Sequence, residues 1–193
     1  NLDASIRVRV KRSRAELTWF VNRFSDFIFK DITGLEEDGL PVLRYGQTDA
    51  IFTGLESRAD VEVYHRDEHH VALTGKLDWV RAERTDTDEA LPRIPPVRIG
   101  GGIRYDGEFL RGILNVTRHT KQDRVAPNEE PTGGYTFVDA SVSLLLFVGT
   151  VANEITLRGT NLGNVEARNH VSLLKEQAPL PGRSVRLLYR LHF

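Results

Sequence analysis

The sequence predicts an all-β fold, an antiparallel transmembrane β-barrel fragment with long outer loops and short turns on the opposite rim. Three observations lead there. Apolar and polar residues alternate with period 2 along most of the chain. Connections between the alternating segments switch regularly between short and long. The last segment, Gly182-Arg-Ser-Val-Arg-Leu-Leu-Tyr-Arg-Leu-His-Phe193, puts Val185, Leu187, Tyr189, Leu191 and Phe193 on one face and Arg186, Arg190 and His192 on the other. In a soluble sheet an edge strand ending on exposed aromatics is an aggregation hazard. In a membrane barrel lipid covers that face and water solvates the arginines.

The elements follow in order. Leu2-Asp-Ala-Ser-Ile-Arg-Val-Arg-Val10 already reads as a strand in progress, with the pattern clear over 4–10. A second strand near 15–30 is less clean, because Phe20 and Phe24 share parity with Asn22 and Asp26. Ile51, Thr53, Leu55, Ser57, Ala59, Val61 and Val63 then oppose Phe52, Gly54, Glu56, Arg58, Asp60 and Glu62. Val71, Leu73, Gly75, Leu77 and Trp79 oppose Ala72, Thr74, Lys76 and Asp78. Val97, Ile99, Gly101, Ile103 and Tyr105 oppose Arg98 and Arg104. Leu110, Gly112, Leu114 and Val116 oppose Arg111, Asn115 and His119. Val138 to Leu146 and Ile155 to Leu157 repeat the pattern, which makes about nine strands with the last one.

Alternation alone does not separate a sandwich from a barrel, since both have one apolar face. Length and connections do. The patterns at 50–64 and 69–84 run about 15 residues, against about 5–6 for a soluble strand and about 9–11 for a membrane crossing. The connections expected are 11–14 short, 31–47 long, 65–68 short, 85–96 long, 106–108 short, 121–134 long, 148–152 short and 163–182 long. Short periplasmic turns opposite long outer loops are the barrel arrangement. Trp79, Tyr105, Tyr135 and Tyr189 at strand ends suit the interfacial girdles.

Composition narrows the function classes. A net charge of −1 and a pI of about 6.7 point to no nucleic-acid partner. Absence of cysteine excludes disulfide frameworks and thiolate metal sites. No apolar run is long enough for a transmembrane helix, and a mean hydropathy of −0.33 is compatible with a barrel because only alternate residues meet lipid. The chain has no methionine and enters directly into strand pattern, so a piece of a longer polypeptide is expected.

Four segments then carry a family resemblance. Arg93-Ile-Pro-Pro-Val-Arg-Ile-Gly-Gly-Gly102, Gly134-Tyr-Thr-Phe-Val-Asp-Ala-Ser-Val-Ser143, Leu157-Arg-Gly-Thr-Asn-Leu162 and Ala178-Pro-Leu-Pro-Gly-Arg183 occur in that order with barrel spacing. Together with Asn22-Arg-Phe-Ser-Asp-Phe-Ile28 they resemble the C-terminal part of a TonB-dependent outer-membrane receptor. The resemblance implies that residues 1–193 form one part, about the last nine strands, of a 22-stranded barrel, with a plug domain and a TonB-contacting segment upstream. It implies outer-membrane lipid, the plug, the TonB complex and the barrel assembly machinery as partners. That machinery would read the terminal strand through Phe193, Leu191 and Tyr189. Asn169-His-Val-Ser-Leu-Leu-Lys175 looks like the zinc-uptake branch.

Candidate site residues are histidines, because imidazole is the commonest zinc ligand. His170 in a long outer loop and His119, with inward parity near the outer end of its strand, are candidate ligands for an entering metal ion or chelate. For each, a solvated polar residue is the plainer reading. His65, His69 and His70, close to Asp67 and Glu68, are denser but fall at a turn on the periplasmic side. Asp86, Asp88 and Glu89 match no established calcium loop, and Gly100, Gly101 and Gly102 lead into strand, not the helix a phosphate cradle needs. Glu56, Arg58, Asp60, Glu62, Arg98, Arg104, Arg158 and Arg186 are expected to solvate the interior and contact the plug. No nucleophile–base pair is visible, so no enzyme and no cofactor is expected; zinc or a metal chelate enters only as transported substrate.

The leading functional expectation is TonB-dependent active uptake of a scarce nutrient. A passive porin or autotransporter-type secretion pore is the first alternative, distinguished by an even, complete strand set without a plug. A soluble β-sandwich binding module is the second. It requires the face containing Leu73, Leu114 and Leu187 to be buried in a protein core.

Overall fold

Alternation over so much of the chain leaves the backbone one way to satisfy its hydrogen-bonding groups, by pairing each strand with the next. A computed structural model describes residues 1–192; Phe193, the end of the expected terminal signal, lies outside the described residues. Nine strands form: β1 (Leu2–Val10), β2 (Ser13–Glu37), β3 (Leu40–Arg66), β4 (His69–Arg84), β5 (Arg98–Asp106), β6 (Leu110–His119), β7 (Tyr135–Val148), β8 (Val151–Thr160) and β9 (Ser184–His192). They make one antiparallel meander in the order β1 to β9, with β1 and β9 as its edges. Among the described residues there is no helix.

Register sorts the two faces. Val61, Leu73, Ile103, Leu114, Ala140, Gly159 and Val185 align as one cross-strand row. Val71, Tyr105, Gly112, Val142, Leu157 and Leu187 form a row on the same face. Leu73, Leu114 and Leu187 are all exposed, Leu187 by 72%. The large apolar side chains of this face therefore lie bare, as a lipid-facing surface requires and a sandwich core forbids.

The opposite face is concave and polar. One row runs Arg14, Asp60, Thr74, Gly102, Asn115 and Asp139; the next runs Glu16, Arg58, Lys76, Gly100 and Thr117. Charges there pair across strands: Arg98 Nε donates to Asp78 Oδ2 at 2.7 Å, and Arg104 reaches over β4 to Asp60 at 3.1 Å. All of these residues but Gly102 and Arg104 line a trough of about 900 Å³.

Two sequence expectations are corrected. The long loop expected over 31–47 is a continuous hairpin, in which β2 and β3 pair up to Glu37↔Leu40 around Asp38 and Gly39. Both turn residues have positive φ, 52° and 75°, as a two-residue type I′ turn demands, and Asp-Gly is the dipeptide that adopts it most readily. A register shift between Ile32 and Glu36, with Gly34 at φ 78°, disturbs the alternation just before that turn. The awkward parity near 15–30 has two causes: Phe20, Asn22 and Phe24 share the inner face in one unbroken register, and the strand shifts after them. An extra residue between Phe24 and Phe27, with Asp26 at φ 58°, resets the strand. Phe27 and Phe29, opposite Thr48 and Gly46, thereby join Phe24, opposite Ala50, on the inner face.

The remaining connections keep the expected alternation. Turns at 11–12, 67–68, 107–109 and 149–150 lie at one rim, and the segments 85–97, 120–134 and 161–183 lie at the other with the β2–β3 hairpin.

Candidate functional site at the outer mouth

The long segments fold inward and close the outer part of the inner face. Ala50, Ala82 and Leu91 are almost completely buried, and Phe27, Phe29, Phe52 and Ile94 pack on them. Phe24, Phe27 and Phe52 meet at ring separations of 5.1–5.6 Å, two of the three contacts edge-on. Beside this cluster Gly54 lets the Phe20 ring lie flat on the strand, because a Cβ there would fall 2.2 Å from it. Segment 85–97 is held down by Leu91 N–H to Ala82 O and by Gln122 Nε2 to Ile94 O. Arg124 fastens segment 120–134 to Glu83, Nη2 donating to Oε2 at 2.6 Å.

Glu129 joins all three segments. Its side chain is 1% exposed. Oε1 accepts from Arg93 N–H at 3.0 Å, and Oε2 accepts from Ala126 N–H at 3.1 Å. Lys175 Nζ lies 3.3 Å from Oε1 and also donates to Glu130 O. His170, 2% exposed, has Nε2 3.2 Å from Glu129 Oε1 in ion-pair rather than aligned hydrogen-bond geometry. Its Nδ1 lies 3.0 Å from Thr132 Oγ1. Burial pushes the Glu129 carboxyl up, but His170, the Ala126 and Arg93 amides and Lys175 together outweigh that and hold it at about 2. A buried carboxylate with this many donors is well satisfied, and removing it strands a lysine.

Below this clamp lies a cavity of about 340 Å³, lined by Glu56, Asp78, Arg98, His119, Tyr135 and His170 among others. His119 stacks on Tyr135, with centroids 4.4 Å apart at 16°, and meets Phe137 edge-on. Thus the structure brings His119 and His170 to one cavity. His119 presents an imidazole braced by aromatics, whereas both nitrogens of His170 face protein groups.

The other sequence candidates are placed as follows. Tyr189 and Leu191 sit on β9, exposed on the apolar face, and Tyr189 O–H donates to Asn153 Oδ1 at 2.6 Å. His65 and His70 pair across the β3–β4 hairpin at the short-turn rim. His69 points to the other face and lies 2.7 Å from the Tyr105 hydroxyl. Asp86 and Glu89 are held by Arg84 rather than arranged round a vacant centre.

Glu129 and Thr132 escaped sequence reasoning, and so did the parts that Lys175 and the inward Glu62 play beside the histidines. Loops have no period to reveal such partners. Asn161 had a signal, since it stands in the Leu157–Leu162 segment. It is buried, and its side chain binds Val165 and Pro181 to fold segment 161–183.

Comparison with known proteins agrees with this architecture. No curated protein matches the chain in sequence. Among solved structures, a copper transporter, OprC, superposes with a TM-score of 0.79 at 18% identity; the match covers 95% of this chain and 29% of that one. At that identity the likeness shows the fold alone, and this chain spans under a third of the relative's length. The family model described as TonB dependent receptor-like, beta-barrel, matches residues 1–164. With that match over most of the strands, the chain belongs to the TonB-dependent receptor β-barrel family.

Proposed function

We propose that the chain is part of the wall of an outer-membrane receptor that takes up a scarce nutrient, a metal ion or its chelate, with energy delivered through TonB. The supporting observation is the division of one sheet into a bare apolar face and a concave charged face, in a chain matched by the receptor barrel family over residues 1–164. In this reading residues 1–193 are one stretch of a larger barrel. Lipid meets Leu73, Leu114 and Leu187, and the assembly machinery engages the terminal strand at Tyr189, Leu191 and Phe193. The charged trough receives the plug.

The cavity beneath the Glu129 clamp is where the incoming substrate meets this part of the wall. His119 is the imidazole facing it, and Glu56 adds a carboxylate that favours a cation, while Asp78 is paired with Arg98. His170 acts through the clamp, setting the loops that roof the cavity. Metal as the cargo is in keeping with the copper transporter that shares the fold, and zinc is the ion the sequence favours.

The test is uptake of labelled zinc, or of a ferric chelate, by cells expressing the complete open reading frame. Uptake should vanish when TonB is deleted and fall in the His119→Ala variant. Uptake that persists without TonB means a passive pore and overturns the proposal.

A further inference from the structure

At the short-turn rim, far along the sheet from the outer mouth, three electron-rich atoms converge on one point. His65 Nδ1 and His70 Nδ1 are 2.7 Å apart, and Glu62 Oε2 lies 3.0 Å from His70 Nδ1. All three ligand atoms lie within 4.8 Å of one another. The arrangement depends on an irregularity in β3. Glu62 and His65 are three apart, a spacing that sends side chains to opposite faces of a regular strand. The register shift between Glu62 and Tyr64 inserts one residue, and both side chains come to the concave face. His70 then sits directly across from His65.

A single cationic side chain now occupies the cluster. Arg12, from the β1–β2 turn, places Nη1 2.7 Å from His70 Nδ1, 3.2 Å from His65 Nδ1 and 3.7 Å from Glu62 Oε2. An imidazole nitrogen offers either one lone pair or one proton, yet His70 Nδ1 has three close partners. If it accepts from Arg12, it has nothing left for His65, and a carboxylate oxygen faces its lone pair. If it is protonated towards Glu62, it no longer accepts from Arg12, whose Nη1 then has His70 Nε2 at 3.1 Å as its acceptor. What the three atoms share is attraction to a cation at their centre, a place the guanidinium fills only from one side.

We propose that Glu62, His65 and His70 form a binding site for a divalent first-row transition ion such as zinc, and that Arg12 is its built-in competitor. Two imidazoles and a carboxylate with an open fourth position are a ligand set zinc accepts, and imidazole equally suits copper and nickel. Metal–nitrogen bonds of about 2.0–2.1 Å set tetrahedral ligand atoms about 3.3 Å apart, so the two Nδ1 atoms need to separate by only about 0.6 Å. His65 is exposed and its rim is a two-residue turn, so that adjustment meets little resistance. The Arg12 side chain is 59% exposed and swings out without losing buried packing. Its departure breaks the side-chain link between the β1–β2 turn and the β3–β4 hairpin. The ion thereby exchanges a tether between neighbouring hairpins for a clip within one of them. His69 takes no part, because it faces the other side of the sheet against Tyr105.

This site is separate from the outer cavity and does not depend on which nutrient is transported. The experiment uses the complete receptor, purified in detergent and stripped of metal, titrated with zinc against a chromophoric chelator. The His65→Ala/His70→Ala double variant should lose one zinc equivalent per chain, and Glu62→Gln should weaken that same equivalent. Arg12→Ala should tighten it by about tenfold, since a like charge a few ångströms from the ion is removed. Copper(II) loaded at this site should show two imidazole nitrogens in its electron paramagnetic resonance spectrum, and none from it in the double variant. Heat-modifiable migration on gels verifies that each variant retains its barrel. Unchanged zinc stoichiometry in a folded double variant overturns the proposal, as does an Arg12→Ala receptor that binds zinc no more tightly.

Discussion

The two ends of the same sheet solve the problem of the inner face in opposite ways. Near the outer mouth the face is dry: Phe24, Phe27 and Phe52 line it, Leu91 is inserted from a loop, and buried charge is gathered round Glu129. Towards the short turns the face is wet, with Arg7, Glu16, Arg58, Lys76 and Asp78 round an open trough. The outer end supplies its own cover from segments 85–97, 120–134 and 161–183. The other end stays polar and open to a partner of matching character. Stability at the outer end therefore resides in a few residues without substitutes, whereas at the trough it is spread over many charges of small individual effect.

Substitutions at the outer end should show the larger effects. Glu129→Ala leaves Lys175 buried without its counter-ion and should cost about 3–5 kcal/mol of local stability. Hydrogen exchange of segments 120–134 and 161–183 should accelerate, while exchange in β5 and β6 near the short turns stays the same. Equal acceleration in both regions would erase the distinction. Leu91→Ala opens a cavity in the small core and should cost about 2–4 kcal/mol, read as earlier proteolysis in segment 85–97.

Acid should act on the same clamp. The Glu129 carboxyl sits at about 2 in the folded chain, below its ordinary value of 4.5. Its contribution is thus complete above pH of about 4.5 and fades as pH falls towards about 2. Loop protection should decline over that window in the native protein and show no such step in the Glu129→Ala variant. At the trough, Arg7→Ala removes a pair with Glu16 whose arginine is 76% exposed. The change should stay below about 0.5 kcal/mol; a thermal-unfolding shift as large as that of Leu91→Ala would show that the trough too rests on single residues.

These differences also explain what was legible beforehand. All nine strands, their faces and the short-turn rim follow from period 2, because a strand's neighbours dictate each residue's side. Where one residue is inserted, parity fails. The insertions near Asp26 and Gly34 hid the inner phenylalanines and made a continuous hairpin resemble a loop, although Asp38-Gly39 announced its turn. The insertion after Glu62 concealed that this carboxylate joins His65 and His70. The Glu129–His170–Lys175 clamp was invisible for a different reason: its members come from separate loops, and only three-dimensional packing brings them together.

The β2–β3 hairpin has a consequence of reach. β2 and β3 contain 25 and 27 residues, and at about 3.3 Å per residue they are about 80 and about 90 Å long, whereas a tilted crossing uses about 9–11 residues. More than half of the ribbon therefore exceeds what a crossing needs, with Leu35, Leu40 and Tyr45 uncovered towards its tip. In the proposed receptor, anything bulky arriving from outside, an antibody or another cell's surface, would touch Asp38 and Gly39 before it touched the mouth of the barrel.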